Sequence, residues 1–336
     1  MDTTLHSSAR ARLKTRIVLV AALGLALAAY LVLHVGFAAV LSAAAEVGWG
    51  GFALLCLYAL ALYPLLGAAW SVLLPHTGAR PRGFVWAFVW ARMVREAASD
   101  VLPFSQVGGI VLGARAAIRR GIGRSEAFAS TIVDVTTEAL AQIGFIALGF
   151  AILSARPPRS SSAAALTRAF EIGLILSVAA GIALVLLQRY GHRVTGRLAA
   201  RILPGAAASA DALADALDGI YRSRPRVVLS SAMHLVGWLA SGAGTWLAFR
   251  LIGIHIELAS VIAIESLVGA AKNAAALVPN AFGVQEASYA ALVQLFGVGP
   301  EFGLAVSLVR RARDVAIGAP ILLISQADAS RRAIRG

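Results

Sequence analysis

The sequence predicts an all-α fold, a polytopic integral membrane helix bundle, on the evidence of its composition and its long apolar runs. Of its 336 residues, 59% are hydrophobic and only 14% are charged, and the mean hydropathy is +0.79. Soluble globular domains carry about 25% charged residues. This chain therefore has too few polar side chains to cover a water-soluble surface.

Six apolar stretches are long enough to cross a bilayer, whose hydrocarbon core of about 30 Å takes roughly 20 helical residues. In chain order they cover residues 17–45, 51–74, 126–153, 169–187, 227–249 and 302–325. The first is far longer than the core of a signal peptide, which has about 7–15 residues. We therefore interpret it as an uncleaved first span.

The arginines predict that both termini lie in the cytoplasm. The connection after the first span carries only Glu46, whereas the next connection carries Arg80 and Arg82, and basic loops stay on the cytoplasmic side. The arginine-rich connection 188–226 is predicted to be the main cytoplasmic segment. Three arginines between residues 156 and 168 run against this orientation.

Two regions, 84–124 and 259–299, differ from simple spans. Each has an apolar limb, a proline, a group of small residues and a second limb that ends at Gly-X-Gly. We predict two re-entrant hairpins, broken at Pro103 and Pro279, because non-helical backbone at membrane depth must be buried in protein or line a cavity. The alternative is a pair of ordinary spans with proline kinks, which membrane helices tolerate.

A single separation along the chain relates the two regions, which indicates an internal repeat. The landmarks that it superposes are Pro103 and Pro279, Gly121 and Gly297, Gly123 and Gly299, and Glu138 and Asp314. We call this common separation the repeat offset, and we predict one domain, 1–336, with half-repeats 84–153 and 259–325. Three crossings separate the hairpins, so the second half should be inverted, and interrupted segments in inverted halves point to the binding site of a transporter.

Ionisable residues within these regions form the candidate site, because charges at membrane depth usually face the bundle interior and pair. They are Arg92, Arg95, Glu96, Asp100, Asp134, Glu138, Glu265, Lys272, Glu286, Arg310, Arg311, Arg313 and Asp314, and Arg92, Glu96 and Asp100 share one helix face. Asp134 and Glu138 match Arg310 and Asp314 in the repeat, so we expect complementary charge across a pseudo-two-fold axis. These residues form either a polar pathway for a lipid headgroup or neutralised pairs that hold the bundle together.

Several function classes find no support in the sequence. It contains no P-loop, no G-x-S-x-G and no H-E-x-x-H, which argues against ATP hydrolysis and against serine or zinc hydrolysis. The single Cys56 excludes an intramolecular disulfide. We predict no catalytic residue, no metal and no cofactor. The net charge of +13 reflects arginines at span ends, so no nucleic-acid partner is expected.

Five segments together resemble a known family: WARMVRE (90–96), LPFSQVGG (102–109), VDVTTE (133–138), VPNAFGVQE (278–286) and LVRRAR (308–313). They are similar to the hopanoid-biosynthesis-associated HpnL-type membrane proteins, part of a flippase-like family that shares the transmembrane region of lysylphosphatidylglycerol synthases. The resemblance covers nearly the whole chain and implies a bacterial inner-membrane protein that moves or handles hopanoids or related lipids. The site residues that it implies are Arg95, Gln106, Gly108, Gly109, Asp134, Glu138, Gly283, Gln285, Glu286, Arg310 and Arg311.

Three functions remain open on the sequence. The leading prediction is a lipid translocase whose partners are membrane lipids, hopanoid or phospholipid. The second is an integral-membrane enzyme that modifies a lipid headgroup with Asp134 or Glu138 as base, although no synthase domain is expected within these residues. The third is a non-transporting partner of the proteins of hopanoid synthesis or export.

Overall fold

The computed structural model describes residues 44–75, 83–101, 106–155, 207–275 and 281–335, together with Ser42, Ile175 and Ala179. Several predictions lie outside these ranges: nearly all of the span 17–45, most of the span 169–187, and the two prolines Pro103 and Pro279. The side chain of Gln106 is also outside the description.

The described ranges contain nine helices and no strand, which confirms the all-α prediction. They are α1 (Gly48–Ser71), α2 (Phe84–Val101), α3 (Gln106–Arg119), α4 (Arg124–Ala155), α5 (Ala207–Arg222), α6 (Arg224–Leu251), α7 (Leu258–Ala274), α8 (Val284–Gln294) and α9 (Pro300–Arg335).

Three of these helices are long and apolar enough to cross a membrane: α1, α4 and α6. They coincide with the predicted spans 51–74, 126–153 and 227–249, and they make the protein a multi-pass membrane protein. The predicted span 302–325 lies within α9, which is helical over 36 residues but carries four charged residues near its middle. The number of six crossings stays a prediction.

The repeat offset reappears in the helix boundaries. Helix α1 begins at Gly48 and α6 begins at Arg224, and these two positions are separated by the repeat offset. Helices α4 and α9 begin at Arg124 and Pro300, which are separated by the same offset. The order α1 to α4 is therefore repeated as the order α6 to α9.

The ends of α3 and α8 also carry the same cap at this offset. Gly121 and Gly297 have φ angles of 93° and 75°, a conformation that glycine adopts without steric cost. The next residue in each case donates its N–H back five residues, from Ile122 to Ala117 at 3.3 Å and from Val298 to Val293 at 3.2 Å. This is the hydrogen bond of a Schellman cap, which ends both helices in the same way.

The equivalent helices α1 and α6 pack against each other in opposite directions. Gly51 near the start of α1 lies against Leu251 at the end of α6. Further along α1, Tyr58 lies against Gly244, and its hydroxyl donates to the carbonyl of Ala240 at 2.7 Å. The two halves of the chain therefore run through the bundle with opposite orientations.

The contacts between the two halves are also repeated at the repeat offset. Asn273 of α7 donates to Gln142 of α4 at 3.1 Å. The positions that the repeat offset relates to these two are Ala97 of α2 and Gly318 of α9, and the Cβ position of Gly318 lies 3.5 Å from Cβ of Ala97. The two interfaces between the halves are thus related by a pseudo-two-fold axis. This is the geometry of an inverted repeat.

Helices α2 and α3 form an antiparallel pair. Gly109 of α3 packs on Ser99 and Arg95 of α2, and Gly113, one turn later, packs on Arg95 and Ala91. Helix α3 has 14 residues and α8 has 11, so at 1.5 Å per residue neither spans a core of about 30 Å. Their connections to α2 and α7 contain undescribed residues, and re-entrant geometry stays a prediction.

Candidate functional site

Two arginines of α2 and two acids of α4 form a buried ion-pair network. Arg92 donates to Asp134 at 3.3 Å and to Glu138 at 3.1 Å and 2.5 Å. Arg95 donates to the same Asp134 oxygen at 2.6 Å and also to Glu138. Residues three and four apart share one helix face, so both members of each pair meet the other helix. The network ties the first limb of the predicted hairpin to the span that follows it.

Glu96 and His234 complete this network from opposite sides. Glu96 pairs with Arg92 at 2.8 Å, and Nε2 of His234, on α6, lies 2.9 Å from Oδ1 of Asp134. The Arg92 and Asp134 side chains are 2% and 0% exposed, whereas Glu138 and Glu96 are 21% and 28% exposed. The arginines therefore lie behind the two glutamates, which form the accessible surface of the network.

A second network joins α6, α7, α8 and α9 around Glu265. One oxygen of Glu265 accepts hydrogen bonds from Thr245 and from Tyr289, both at 2.6 Å. Arg310 pairs with Glu265 and also donates to Thr245 at 2.7 Å. Glu265 is only 6% exposed, and a buried carboxylate is tolerated when it is paired and hydrogen-bonded in this way. This network joins the helices of the second half, as the first network joins α2 to α4.

Glu286 connects the start of α8 to α9. It accepts the backbone N–H of Gly283 at 2.8 Å and pairs with Arg311. Gly283 has a φ angle of 77°, which suits glycine, and it precedes the first residue of α8. The neighbouring Gln285 donates to Ser307 of α9 at 3.0 Å. Residues 281–286, the described part of the VPNAFGVQE segment, therefore lead into α8 and hold its start against α9.

The arginine–carboxylate pairs of the two networks form within the halves, whereas His234 of α6 contacts Asp134 from the other half. Asp134 pairs with arginines of α2, and its repeat counterpart Arg310 pairs with Glu265 of α7. The sign of the charge is reversed, as the repeat predicted, but the described ion pairs do not join Asp134 to Arg310. Asp134 and Arg310 each pair within their own half, because the helix that faces each of them there carries the opposite charge.

Glu96 of the first network and four further residues form what we call the central charged group: Glu96, Asp100, Lys272, Arg313 and Asp314. Asp100 has the other four as its electrostatic neighbours. Arg313 pairs with Asp314 of its own helix at 2.6 Å, and the Asp314 side chain is 32% exposed. Lys272 is exposed. Glu96, Lys272 and Asp314 thus place charge on side chains that are at least partly accessible, whereas Arg313 is only 14% exposed.

The central charged group lies deep in the bundle. Helix α2 starts at the end of the bundle where Arg120 stacks on Trp90. Helix α7 starts at the opposite end, because it is antiparallel to α4. Ser266 of α7 lies against Gly149 of α4, and Asn273, further along α7, contacts Gln142, which lies earlier in α4. At 1.5 Å per residue, Asp100 and Lys272 lie about 24 Å and about 21 Å from the starts of these helices. The group therefore lies far from both ends of the bundle.

The predicted glycines of the first motif differ in their surroundings. A Cβ on Gly109 would lie 2.8 Å from the carbonyl oxygen of Arg95 and would overlap the Ser99 side chain. Gly109 therefore permits the close approach of α3 to α2, while Gly108 is half-buried beside it. At least one of these two residues serves packing within the hairpin.

Sequence reasoning missed three polar partners of the networks: His234, Thr245 and Tyr289. His234 and Thr245 lie on α6 and Tyr289 lies on α8, and the position of each along the chain gives no signal of the acid that it contacts. Asp100 carried a signal, because it lies eight residues after Arg92 and so shares its helix face. Within the described ranges, no group of three or more His, Cys, Asp or Glu residues is placed to hold a metal ion.

Residues 17–321 match the family described as the lysylphosphatidylglycerol synthase TM region. The chain belongs to this family. Neither a curated protein nor a solved structure matches it. Both buried networks and the central charged group lie within the matched residues. Membership of the lysylphosphatidylglycerol synthase transmembrane family makes this a membrane protein related to lipid modification or transport.

Proposed function

We propose that the protein is a lipid translocase, which passes a polar headgroup through the bundle while the apolar body of the lipid stays in the bilayer. The observation that carries the proposal is the central charged group, in which Glu96, Lys272 and Asp314 are at least partly exposed far from both ends of the bundle. Charges that only hold helices together are expected to be buried in pairs, as Arg92 and Asp134 are. The pseudo-two-fold relation between the halves supports a transporter, because inverted halves place a site between them.

We further propose that the cargo is a hopanoid or another polar-headed lipid of the bacterial inner membrane, and that both termini are cytoplasmic. The resemblance to HpnL-type proteins supports the hopanoid. The orientation is supported by the exposed arginines Arg115, Arg120 and Arg124 at the end of the bundle where α3 ends and α4 begins, since cytoplasmic surfaces are rich in arginine. Proteins of hopanoid synthesis or export are the partners that this proposal implies.

An enzyme activity of this chain is the competing hypothesis, and the site geometry favours transport. A general base needs a lone pair within hydrogen-bond reach of the substrate proton. Asp134 and Glu138 already accept hydrogen bonds from Arg92 and Arg95, and Asp134 also contacts His234. We propose that these acids organise the bundle. Product formation from lipid by the purified protein in detergent, where translocation has no meaning, would contradict this assignment.

The direct test is a translocation assay in vesicles. The purified protein is reconstituted with a lipid labelled on its acyl chain, and a membrane-impermeant reductant quenches the label in the outer leaflet. With the wild-type protein, we expect the reductant to quench more than half of the label. With Asp314→Asn, we expect the rate of translocation to fall at least tenfold. Asp215→Asn, an exposed acid of α5, is the matched control and should retain the wild-type rate. Quenching at the level of protein-free vesicles would refute translocation.

A strain lacking the protein tests the hopanoid. We expect unchanged total hopanoid with retention in the inner membrane, and restoration of the outer-membrane content by the wild type but not by Asp314→Asn. Loss of one hopanoid species with accumulation of its precursor would assign the protein to synthesis instead.

A further inference from the structure

His234 joins the two halves of the protein at a buried acid. It lies on α6, in the second half, and its Nε2 atom lies 2.9 Å from Oδ1 of Asp134, on α4 of the first half. The other carboxylate oxygen of Asp134, Oδ2, accepts hydrogen bonds from Arg92 and Arg95. The His234 and Asp134 side chains are 1% and 0% exposed. A histidine of one half therefore contacts the oxygen that the arginines of the other half leave to it.

The ionisable residues of the candidate site do not balance in charge. They comprise six bases and seven acids. In the second half, Glu265 and Glu286 pair with Arg310 and Arg311. The excess acid therefore lies in the first network and the central charged group, which share Glu96. An unbalanced charge within a membrane bundle is costly, and a proton on the imidazole beside Asp134 supplies the missing positive charge.

The second ring nitrogen of His234 is the place for this proton. An ionised carboxylate only accepts hydrogen bonds, so Nε2 carries a hydrogen in both charge states of the ring. Within the described part of the chain, Nδ1 of His234 has no hydrogen-bond partner. A buried N–H without a partner is unfavourable, and this cost opposes the gain from a balanced charge. Two opposed effects act on one proton, which can therefore bind and leave.

Charged and titratable groups reach the surroundings of His234 from six helices. Asp134 and Glu138 lie on α4, and both accept hydrogen bonds from Arg92 and Arg95 of α2. The groups of the other four helices are engaged at other positions: Tyr58 of α1 at Ala240, Tyr221 of α5 at Thr136, and Glu265 of α7 with Arg310 of α9 at Thr245. A change of charge on His234 therefore acts first on Asp134.

We infer that His234 is a proton site that couples the movement of the two halves to a proton gradient. This inference rests on the proposed function, because it names the ion that drives the same transporter. With the proton bound, His234 and Asp134 form a charge-assisted hydrogen bond, about twice as strong as a neutral one. Loss of the proton leaves a neutral hydrogen bond and an unbalanced carboxylate, which separation of α6 from α4 exposes to water. The proton exchanges at Glu138, one turn of α4 after Asp134 and 21% exposed.

NMR of the purified protein with 15N-labelled histidine in detergent micelles observes the proton itself. We expect both ring nitrogens of His234 to carry a hydrogen at about pH 5 and Nε2 alone at about pH 8, the range in which histidine ordinarily changes charge. His234→Gln assigns the signal, because glutamine can still donate to Asp134 but binds no proton. His255→Gln removes an exposed histidine between α6 and α7 and should leave the titration in place. A ring with the same charge at both pH values would overturn the inference.

Coupling is measured in the vesicle assay, with and without an imposed pH difference across the membrane. We expect the pH difference to change the wild-type rate of translocation about fivefold or more, the usual size of a coupling between two sites. His255→Gln should keep this response and His234→Gln should lose it, while melting at about pH 8 shows that each variant folds.

The two measurements can fail separately. A wild-type rate that ignores the pH difference, or an equal response in His234→Gln, would overturn the coupling while translocation stands. The first of these outcomes needs no variant. Titration of His234 with no translocation by the wild type in either condition would overturn the proposed function and leave the proton site in place.

Discussion

At the scale of single residues, the burial of a charge decides what it does. Asp134 is fully buried and faces Arg92, Arg95 and His234, while Asp314 is one-third exposed beside Arg313. The first arrangement joins helices, whereas the second leaves part of the carboxylate accessible. Both kinds of acid carry the same formal charge in the sequence, and only their surroundings separate them.

Asp134→Asn should destabilise the protein by about 3–5 kcal/mol, because it leaves two buried arginines short of a counter-charge. Glu138→Gln should cost less, since its side chain is 21% exposed and water replaces part of the lost interaction. Thermal unfolding in detergent measures both. Asp215→Asn is the exposed control and should melt like the wild type. A melting temperature for Asp134→Asn within error of that control would contradict the buried network.

Glu265 and Arg310 should show strong coupling in a double-mutant cycle. Either single change, Glu265→Gln or Arg310→Gln, leaves the other charge without its main partner in a buried site. The double variant removes both charges, so its loss of stability should be smaller than the sum of the single losses by about 0.5–3 kcal/mol. Denaturant titration in mixed micelles measures the cycle. Additive losses would mean that Thr245 and Tyr289 satisfy each group without the ion pair.

At the scale of helices, close contacts at glycine set the packing. The Cβ position of Gly67, on α1, lies 2.5 Å from the Cα atom of Val89 on α2, so no change of rotamer relieves a substitution there. Gly149 of α4 would instead meet the Ser266 side chain on α7. The sequence is rich in glycine, and it does not show which glycines lie at such contacts.

Gly67→Ala should destabilise the bundle by about 1–3 kcal/mol, the usual cost of forcing extra volume into a packed interface. Gly144→Ala is the matched control, since nothing lies within 4 Å of the Cβ position of Gly144. Alanine is also the better helix former there, so the control should be neutral or slightly stabilising. Thermal unfolding of the two variants decides the matter, and equal melting temperatures would refute the close contact of α1 with α2.

At the scale of the whole molecule, the pseudo-two-fold relation places the site between two inverted halves. The relation rests on the antiparallel packing of α1 and α6 and on the matched contacts of α4 with α7 and of α2 with α9. Because the central charged group draws on α2, α7 and α9, it exists only when both halves are assembled.

Two engineered cross-links test this relation. In a Cys56→Ser background, Gln142→Cys with Asn273→Cys should be joined by a short bismaleimide, and Ala97→Cys with Gly318→Cys should form a disulfide under mild oxidation. The side chains of the first pair are hydrogen-bonded at 3.1 Å, which is within the reach of a short cross-linker. The Cβ positions of the second pair are 3.5 Å apart, which suits a disulfide. Gly144→Cys with Asn273→Cys is the control without a neighbour. Mass shifts after proteolysis report the bond, and cross-linking of one pair alone would break the symmetry.

The sequence by itself determined the membrane class, the helical fold, the three apolar spans seen as α1, α4 and α6, and the repeat offset. It could do so because hydrophobicity, helix length and repeat spacing are local or periodic properties of a chain. It also located the charges, since each is rare within an apolar run. From the sequence, the inverted orientation of the second half was only a prediction, which came from counting the spans between the two hairpins.

The tertiary structure decided which charge meets which. The pairing of Asp134 with α2 and the contacts of His234, Thr245 and Tyr289 all depend on residues of different helices. Their physical cause is side-chain proximity across packed interfaces, which depends on helix rotation and on the glycines that permit close approach. A one-dimensional pattern carries neither quantity, so the division between buried networks and an accessible charged group appears only in the folded molecule.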